Sequence, residues 1–272
     1  MLVVTCIKQV PDTTQVKTDP KTGTLIREGV PFITNPFDTN ALEESLRLKD
    51  RYGFRVAVVS MGPPNTAVTL RKALALGADQ AVLLSDRAFG GADTLATSMV
   101  LAAAVKQLAE RDEIAIVVCG RQTIDGDTAQ VGPGIATRLG YSQLTLVDQI
   151  QDVDLKAKKI RVRRKLEGRH EIVEAPLPVL LSVVREINQP RYPTVPRRLA
   201  SEQAEILVWD NKFMKLDEQT VGLKGSATQV RKIFSPERAK GEILGDGINK
   251  PEESALLLID TLLSKDIISF QA

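Results

Sequence analysis

The sequence predicts an α/β protein with a doubly wound, mostly parallel sheet, an antiparallel hairpin extension and a C-terminal arm. Up to Gly140, short apolar runs with the length of buried strands alternate with helical patterns, as in a parallel sheet covered by helices on both faces. From Gln143 onward apolar residues alternate with polar ones, which indicates antiparallel strands. Past Ala200 the chain is too polar to form a core of its own.

The first half of the chain is predicted to form strand-to-helix units with right-handed crossovers. The predicted strands are Leu2–Ile7, Arg55–Ser60, Ala81–Ser85 and Ile114–Cys119. The predicted helices start at prolines or capping residues, and most of them stop at glycines. They run from Pro36 to Gly53, from Pro63 to Gly77, from Leu95 to Glu110 with Asp93-Thr94 as the cap, and through Ala129 to Gly140 with Asp127 or Thr128 as the cap.

The remaining segments are predicted to extend this sheet. Turn residues between Val16 and Ile33 indicate a small hairpin. A second hairpin and a final core strand are expected from the runs Leu144–Asp148, Ile160–Leu166, Ile172–Val173 and Val179–Val184. The prolines between Arg185 and Pro196 favour an irregular, exposed loop.

We expect two parts, a nucleotide-binding α/β domain over residues 1–199 and an arm over residues 200–272 that packs on another subunit. The arm is predicted to contain helices over Ser201–Leu207 and Glu252–Lys265. Disorder in part of the arm is the alternative.

The loops that follow the predicted strands meet at one edge of the sheet, where ligands of such folds bind. They are Cys6–Gln9, Met61-Gly62, Asp93-Thr94 and Gly120–Gln130. The last of these loops joins a buried strand to a helix N-terminus, a geometry that binds anions. We therefore expect a nucleotide phosphate there, with Gly126, Ala129 and Gly132 allowing it to approach the backbone. An ordinary turn is the alternative, because neither G-x-G-x-x-G nor G-x-x-x-x-G-K-[ST] occurs.

The composition argues against several classes of function. Thirty-six basic and 34 acidic residues, with a net charge of +2, give no bulk electrostatic reason for binding to nucleic acid or membranes. One histidine, His170, and two cysteines, Cys6 and Cys119, are too few for a zinc site or a His-dependent catalytic triad. No apolar run is long enough to span a bilayer and Met1–Ile7 lacks the features of a signal peptide, so we expect a cytoplasmic protein without membrane insertion.

Several short motifs, in order along most of the chain up to Leu199, resemble those of the beta subunit of electron-transfer flavoproteins. They are Asn35-Pro36-Phe37, Gly62-Pro63, Ala73–Asp79, Gly120-Arg121-Gln122 followed by Ile124-Asp125, and Asn188–Tyr192. The resemblance implies a Rossmann-like, adenine-nucleotide-binding fold. It also implies a heterodimer with an alpha subunit that carries a flavin, and electron exchange with an FAD-dependent dehydrogenase.

The loop Asp125–Pro133 resembles the flavin-bifurcating members of that family, whose beta subunit holds a second FAD, rather than the members that hold AMP. Asp93–Ser98 and Leu223–Ser226 resemble the same subgroup. This implies that NADH gives hydride to this FAD, which passes electrons to ferredoxin or flavodoxin and, through the alpha-subunit flavin, to the dehydrogenase. An AMP-holding electron carrier is the first alternative, and a nucleotide-binding regulatory module without a redox role is the second.

The resemblance and the loop positions together assign cofactor contacts to the carboxyl edge of the sheet. The assigned residues are Cys6, Asn35, Pro36, Phe37, Asp38, Met61, Asp93, Thr94, Thr97, Gly120, Arg121, Gln122, Asp125, Gly126, Asp127, Thr128, Ala129, Gln130 and Val131. No side chain is expected to act as a catalytic acid, base or nucleophile, because the cofactor carries the chemistry.

Three of these residues, Asp127, Thr128 and Gln130, are expected to hold the FAD pyrophosphate and adjacent groups. Asp127 is anionic, so it is assigned to helix capping or to the ribose rather than to direct phosphate contact, and a helix cap alone is the alternative. Arg121 is expected to offset the charge of phosphate or reduced flavin, with an ion pair to Asp125 as the alternative.

A proline-rich loop resembles the segment by which this family binds its dehydrogenase. The expected contact residues are Ile187, Asn188, Pro190, Arg191 and Tyr192. The prolines are expected to hold an exposed Ile187 out from the body as an anchor, and a simple linker is the alternative.

Overall fold

The computed structural model describes residues 1–12, 17–18, 25–26, 31–230 and 241–269. The chain divides into two compact units, Met1–Lys232 and Ile233–Ala272, which are described separately below.

The first unit contains thirteen strands and six α-helices within these described ranges. The strands are β1 (Leu2–Cys6), β2 (Gln9–Pro11), β3 (Lys17–Thr18), β4 (Leu25–Ile26), β5 (Phe32–Thr34), β6 (Arg55–Met61), β7 (Gln80–Leu84), β8 (Ile114–Gly120), β9 (Ser142–Asp154), β10 (Lys159–Leu166), β11 (Arg169–Pro176), β12 (Val179–Val183) and β13 (Leu207–Trp209). The helices are α1 (Pro36–Tyr52), α2 (Ala67–Leu76), α3 (Thr94–Ala109), α4 (Val131–Leu139), α5 (Val195–Gln203) and α6 (Asn211–Met214).

Nine of the described strands form one sheet in the order β11-β10-β9-β12-β8-β1-β6-β7-β13. Along the sheet from β9 through β12, β8, β1, β6 and β7 to β13, each strand is parallel to its neighbours in this series. Strand β10 is antiparallel to both of its neighbours, β9 and β11. The chain adds β6 and β7 on one side of β1 and then places β8 on the other side. The predicted α/β fold with a mostly parallel sheet and an antiparallel extension is therefore confirmed, and strand order reverses between β1 and β8.

Helices cover both faces of this sheet, which explains the continuously apolar central strands. Successive residues of β1 face opposite sides: Val3 packs in one core cluster, while Leu2 and Val4 pack in the other. The first cluster includes Leu42 and Leu46 of α1 and Leu70 of α2. The second includes Leu101 and Leu108 of α3 and Ile135 of α4. All seven residues of β8 are buried, as expected for a strand covered on both faces.

The helix ends follow the sequence signals in most places. Pro36 lies in the first turn of α1, and Gly53 ends that helix in the left-handed conformation with φ 73°. The Asp93 carboxylate caps α3 by accepting a hydrogen bond from Ala96 N at 3.0 Å. Gly140 ends α4 with φ 69°.

The predicted start of α4 is wrong. The helix begins at Val131, and Gln130 at its N-cap position makes no side-chain capping bond. Asp127 and Ala129 adopt φ values of 50° and 55°. These left-handed conformations are incompatible with a right-handed helix, so the loop continues past both residues and neither Asp127 nor Thr128 is the cap.

Two further differences follow Val184. Helix α5 begins at Val195, inside the segment predicted to be irregular, because Pro196 occupies its first turn, where a missing N–H has no cost. The chain over Leu207–Trp209 forms strand β13, which pairs with β7, whereas the sequence predicted a helix as far as Leu207.

The predicted hairpin between Val16 and Ile33 is confirmed only where the structure describes it. Strands β3 and β4 pair antiparallel, and so do β2 and β5. Residues 13–16, 19–24 and 27–30 lie outside the described part of the chain.

In the second unit, helix α7 (Pro251–Ser264) corresponds to the last predicted helix. It exposes a run of apolar side chains, Leu256, Leu257, Leu258 and Ile259. Across the described residues of both units, no helix is long and apolar enough to cross a bilayer. That residues 200–272 pack on another subunit stays a prediction.

Candidate functional site

The point where strand order reverses, between the carboxyl ends of β1 and β8, is the expected ligand site of this sheet. Two loops leave the sheet there, one after Cys6 and one after Gly120, and the first turn of α1 lies beside both. This turn is therefore placed to fix the two loops relative to each other.

Asp38, in the first turn of α1, joins the two loops. One carboxylate oxygen accepts a hydrogen bond from Lys8 N at 2.8 Å, and the other accepts one from Gly120 N at 3.0 Å. The residue is only 4% exposed. Burial raises the pKa of Asp38 to about 7, although the two backbone bonds and the nearby Lys8 cation act in the opposite direction.

Asn35 holds the second loop at two more points. It stands at the N-cap position of α1, but its side chain does not cap that helix. Instead its Nδ2 donates to Gln122 O at 2.8 Å, and its Oδ1 accepts from Ile124 N at 3.2 Å. Because Asn35 is fully buried, these bonds are shielded from water.

The Asp125 side chain pairs with Lys8, not with Arg121. Lys8 Nζ lies 2.6 Å from an Asp125 carboxylate oxygen, which ties the loop after β8 to the loop after β1. The alternative ion pair between Arg121 and Asp125 is therefore wrong. The Arg121 side chain is exposed at the site.

Two glycines allow the backbone to approach closely around this site. A Cβ atom on Gly120 would lie 2.6 Å from Cβ of Phe37 and would also clash with the Asp38 carboxylate. A Cβ atom on Gly132, in the first turn of α4, would lie 2.8 Å from Sγ of Cys119. Because real Cβ contacts are longer, the packing of α1 and α4 on β8 requires glycine at both positions.

The loop ahead of α4 leaves the helix N-terminus without a side-chain cap, so the N–H groups of Val131 and Gly132 are available to an anion. Pro133 has no N–H, and Gly134 N donates to Gln130 O. Gln122 Nε2 donates to Asp127 Oδ1 at 2.8 Å, which holds the loop in its left-handed conformation. Thr94 Oγ1 donates to Gln130 Oε1 at 2.8 Å and so connects α3 to the same loop.

A segment that sequence analysis placed in the arm lies against this edge of the sheet. Asp93 N donates to Ser226 Oγ at 2.8 Å, and Asp93 Oδ2 accepts from Thr228 N at 3.0 Å. Leu223 N donates to Gly90 O at 3.0 Å. Ser226 matched a family motif, but neither Ser226 nor Thr228 was among the predicted site residues, because this contact spans more than a hundred residues of chain.

A cleft of about 920 Å³ opens beside the loop after β8. Its walls come from that loop, from Phe37, from β9, from the β10–β11 turn and from the residues after β12. The lining residues are Phe37, Arg121, Gln122, Asp127, Ala129, Leu146, Lys165, Leu166, Glu167, Val184, Arg185 and Glu186. Three of them, Asp127, Ala129 and Leu146, are non-glycine residues with positive φ. Such conformations cost energy and concentrate at functional sites, so their clustering marks this cleft.

Most of the predicted cofactor residues lie around the reversal point, where one of them, Cys6, lies beside a second thiol, Cys119, that was not among them. Cys6 and Cys119 are register partners on β1 and β8, and both are free and buried. Burial raises the pKa of Cys6 to about 12 and that of Cys119 well above its usual value. Neither thiol is therefore a nucleophile at neutral pH. Met61 lies at the end of β6, and Thr97 lies in the first turn of α3.

The proline-rich loop is fixed to α1, and its predicted anchor is not exposed. Ile187 is partly buried and packs on the core, which corrects the expectation that it projects from the body. Arg191 donates to Glu43 at 2.8 Å and to Asp50 at 2.8 Å. Asn188 Nδ2 donates to Glu44 at 3.0 Å. In contrast, Tyr192 is 93% exposed.

Comparisons with known proteins agree on one family. Residues 22–214 match the model of the electron transfer flavoprotein domain. The chain is 48% identical to "Electron transfer flavoprotein subunit beta" of Clostridium acetobutylicum, over 98% of this chain and 99% of that protein. It is 48% identical to "Protein FixA" of Azotobacter vinelandii, over 86% and 83% of the two chains. It is 47% identical to "Caffeyl-CoA reductase-Etf complex subunit CarD" of Acetobacterium woodii, over 98% and 100%. This chain therefore belongs to the electron transfer flavoprotein beta-subunit family, whose members act in electron transfer together with an alpha subunit.

Proposed function

We propose that this chain is the beta subunit of a flavin-bifurcating electron transfer flavoprotein and binds FAD at the reversal point between β1 and β8. The observation that carries the proposal is the cleft of about 920 Å³ that continues from the loop after β8. Its volume falls in the range of about 300–1,000 Å³ that is typical of sites for small molecules. A ligand longer than AMP fits this arrangement, because the cleft extends from Asp127 and Ala129 as far as Lys165.

The residues at the site fit such a dinucleotide. The uncapped N-terminus of α4 and the loop Gly126–Gln130 supply backbone N–H groups for a pyrophosphate. Phe37, Leu146 and Leu166 give the cleft apolar walls for a ring system. Arg121 lines the same cleft, as do two further cations, Lys165 and Arg185. In this proposal the remaining predicted contacts at Gln122, Thr128 and Val131 orient the ligand.

The bound flavin would supply the hydride and single-electron chemistry. The side chains of this subunit bind and orient the ring, exclude water from it and, through Arg121, offset negative charge at the cleft. We expect NADH as the donor, with ferredoxin or flavodoxin and an FAD-dependent dehydrogenase as acceptors. The similarity to CarD, named as a subunit of a caffeyl-CoA reductase complex, supports assembly with a dehydrogenase-like partner.

The decisive measurement is the nucleotide content of the heterodimer purified with its alpha subunit. We expect two FAD per heterodimer and reduction of the flavin by NADH. One FAD and one AMP per heterodimer would instead support a simple electron carrier. A chain that stays monomeric and flavin-free when produced with its natural partner would support a regulatory nucleotide-binding module.

The substitution Gly126→Val is expected to weaken FAD binding by about tenfold or more while the fold is retained. A Cβ atom at this position meets only Thr123 Oγ1, at 3.5 Å, so the protein itself tolerates the side chain. The branched side chain would nevertheless occupy the approach to the loop backbone, and tenfold corresponds to about 1.4 kcal/mol. Equilibrium titration of the nucleotide-free heterodimer with FAD measures the effect. Gly247→Val, at a glycine with no atom within 4 Å of an added Cβ, is the control. Equal affinities for the two variants would contradict the close-approach argument.

The substitution Tyr192→Ala is expected to slow electron delivery to the dehydrogenase without changing FAD content or reduction by NADH. Tyr192 is almost fully exposed beside an anchored loop, so a partner can bury it at little cost in conformational entropy. Ile187→Ala is expected to slow delivery as well, but also to lower the melting temperature, because Ile187 packs on the core. Ile172→Ala, on the exposed face of β11, is the control. Unchanged delivery in both loop variants would place the docking surface elsewhere.

A further inference from the structure

The two loops at the reversal point depend on one side chain for their relative position. Lys8 N follows β1 and Gly120 N ends β8, and each donates to a different oxygen of the Asp38 carboxylate. These strands lie side by side in the sheet. Asp38 is buried, and both of its carboxylate oxygens already accept backbone hydrogen bonds. These contacts favour a structural role for Asp38 over a direct contact with a ligand.

We propose that Asp38 is a positioning residue of the nucleotide site: its ionised carboxylate holds the ends of β1 and β8 together and thereby sets the geometry of the loop that receives the FAD pyrophosphate. This inference rests on the proposed function. Asn35, one helical turn earlier, fixes Gln122 and Ile124 in the same loop, so the first turn of α1 supports the loop along its length.

An ionised carboxylate is required because both of its neighbours are N–H donors. Protonation of either oxygen places an O–H group at a position where an acceptor is needed, so one backbone bond is weakened. The titratable groups that face Asp38 are Cys6 on β1, Cys119 on β8 and Lys8 after β1. The two thiols stay protonated near neutral pH, and Lys8 is paired with Asp125. Asp38 is therefore the member of this group that changes charge near pH 7.

The test is FAD affinity, measured by titration of the nucleotide-free heterodimer between about pH 6 and about pH 8.5. For the unaltered protein we expect the dissociation constant to rise severalfold as the pH is lowered. For Asp38→Asn we expect a dissociation constant about tenfold or more above that of the unaltered protein at the higher pH, and no dependence on pH. The amide offers one acceptor in place of two, and a hydrogen bond to a charged group is worth about tenfold or more in affinity.

Asp79→Asn is the matched control. The Asp79 carboxylate also accepts a backbone bond, from Val56 N at 2.9 Å, but it lies at the opposite, amino edge of the sheet. We expect this variant to lose stability while its FAD affinity and pH profile stay unchanged.

Several outcomes would overturn the inference. Equal FAD affinity of Asp38→Asn and the unaltered protein would exclude a positioning role. A pH-independent affinity of the unaltered protein would exclude it too, even if Asp38→Asn failed to fold. Tighter binding at low pH would show that repulsion between Asp38 and the ligand outweighs loop positioning. An unaltered heterodimer that binds FAD only through its alpha subunit would instead reject the proposed function itself.

Discussion

Gly120→Ala is expected to destabilise the protein by about 3 kcal/mol or more and to abolish nucleotide binding. The added Cβ would clash with the Asp38 carboxylate and would lie 2.6 Å from Cβ and 2.7 Å from the carbonyl carbon of Phe37. Two of these three atoms belong to the start of α1 and cannot rotate away, so α1 must move off β8. Overpacking costs about 1–3 kcal/mol, and loss of the bond from Gly120 N to Asp38 adds about 1.5–3 kcal/mol. Urea denaturation followed by circular dichroism measures the loss.

The matched control for this substitution is Gly126→Ala, which lies in the same loop. Its added Cβ meets one side-chain atom at an ordinary contact distance. We expect its unfolding midpoint to stay close to that of the unaltered protein. Equal unfolding midpoints for the two alanine variants would show that α1 can move away from β8 without loss of stability. The close contact at Gly120 would then make no contribution to the free energy of unfolding.

The second large effect is a pH dependence of stability that Asp38→Asn removes. The pKa of Asp38 rises from 3.8 to about 7 on folding because of burial. The folded protein thus binds the proton more tightly than the unfolded chain does. The corresponding stability is fully present below pH 3.8 and is lost as the pH rises through about 7. Each pKa unit corresponds to about 1.4 kcal/mol. The titration of Asp38 is therefore expected to lower the free energy of unfolding by about 3 kcal/mol as the pH rises from about 4.5 to about 8.

The comparison of Asp38→Asn with the unaltered protein at these two pH values isolates this contribution, because all other titrating groups are shared. Because the Asn amide resembles the protonated carboxyl in shape and lack of charge, we expect the variant to be about as stable as the unaltered protein at the lower pH and more stable than it at the higher pH. A stability difference that does not vary with pH would mean that Asp38 is ionised in the folded protein at both pH values.

The sequence was sufficient to predict the parts of the fold that depend on local patterns. The buried strands such as β8 are continuous apolar runs, and helix ends such as Gly53 and Asp93 carry the residues that cap helices. The antiparallel extension was also predicted, because its strands alternate between apolar and polar residues.

The features that sequence analysis missed depend on contacts between distant segments. Asp127 and Ala129 adopt left-handed conformations within a loop that Asn35 and Lys8 hold in place, so local preference for a helix was overridden. Strand β13 has only three residues, which is too short for its sequence pattern to predict a strand. It forms by pairing with β7 at the edge of the sheet. The loop after β8 was predicted as a site, but its support by Asp38 and Asn35 required the tertiary structure.

The two outer strands of the nine-stranded sheet have a consequence for how this protein meets other chains. An open sheet edge is a template for strand addition and for aggregation, and proteins protect such edges by short length, charge or proline. Here β13 has only three residues, while β11 carries Arg169, Glu171 and Glu174 and ends at Pro176. Neither edge therefore presents a long, flat, apolar strand with which a strand of another chain could pair. At these two edges, addition of a strand from another chain by backbone pairing is therefore disfavoured.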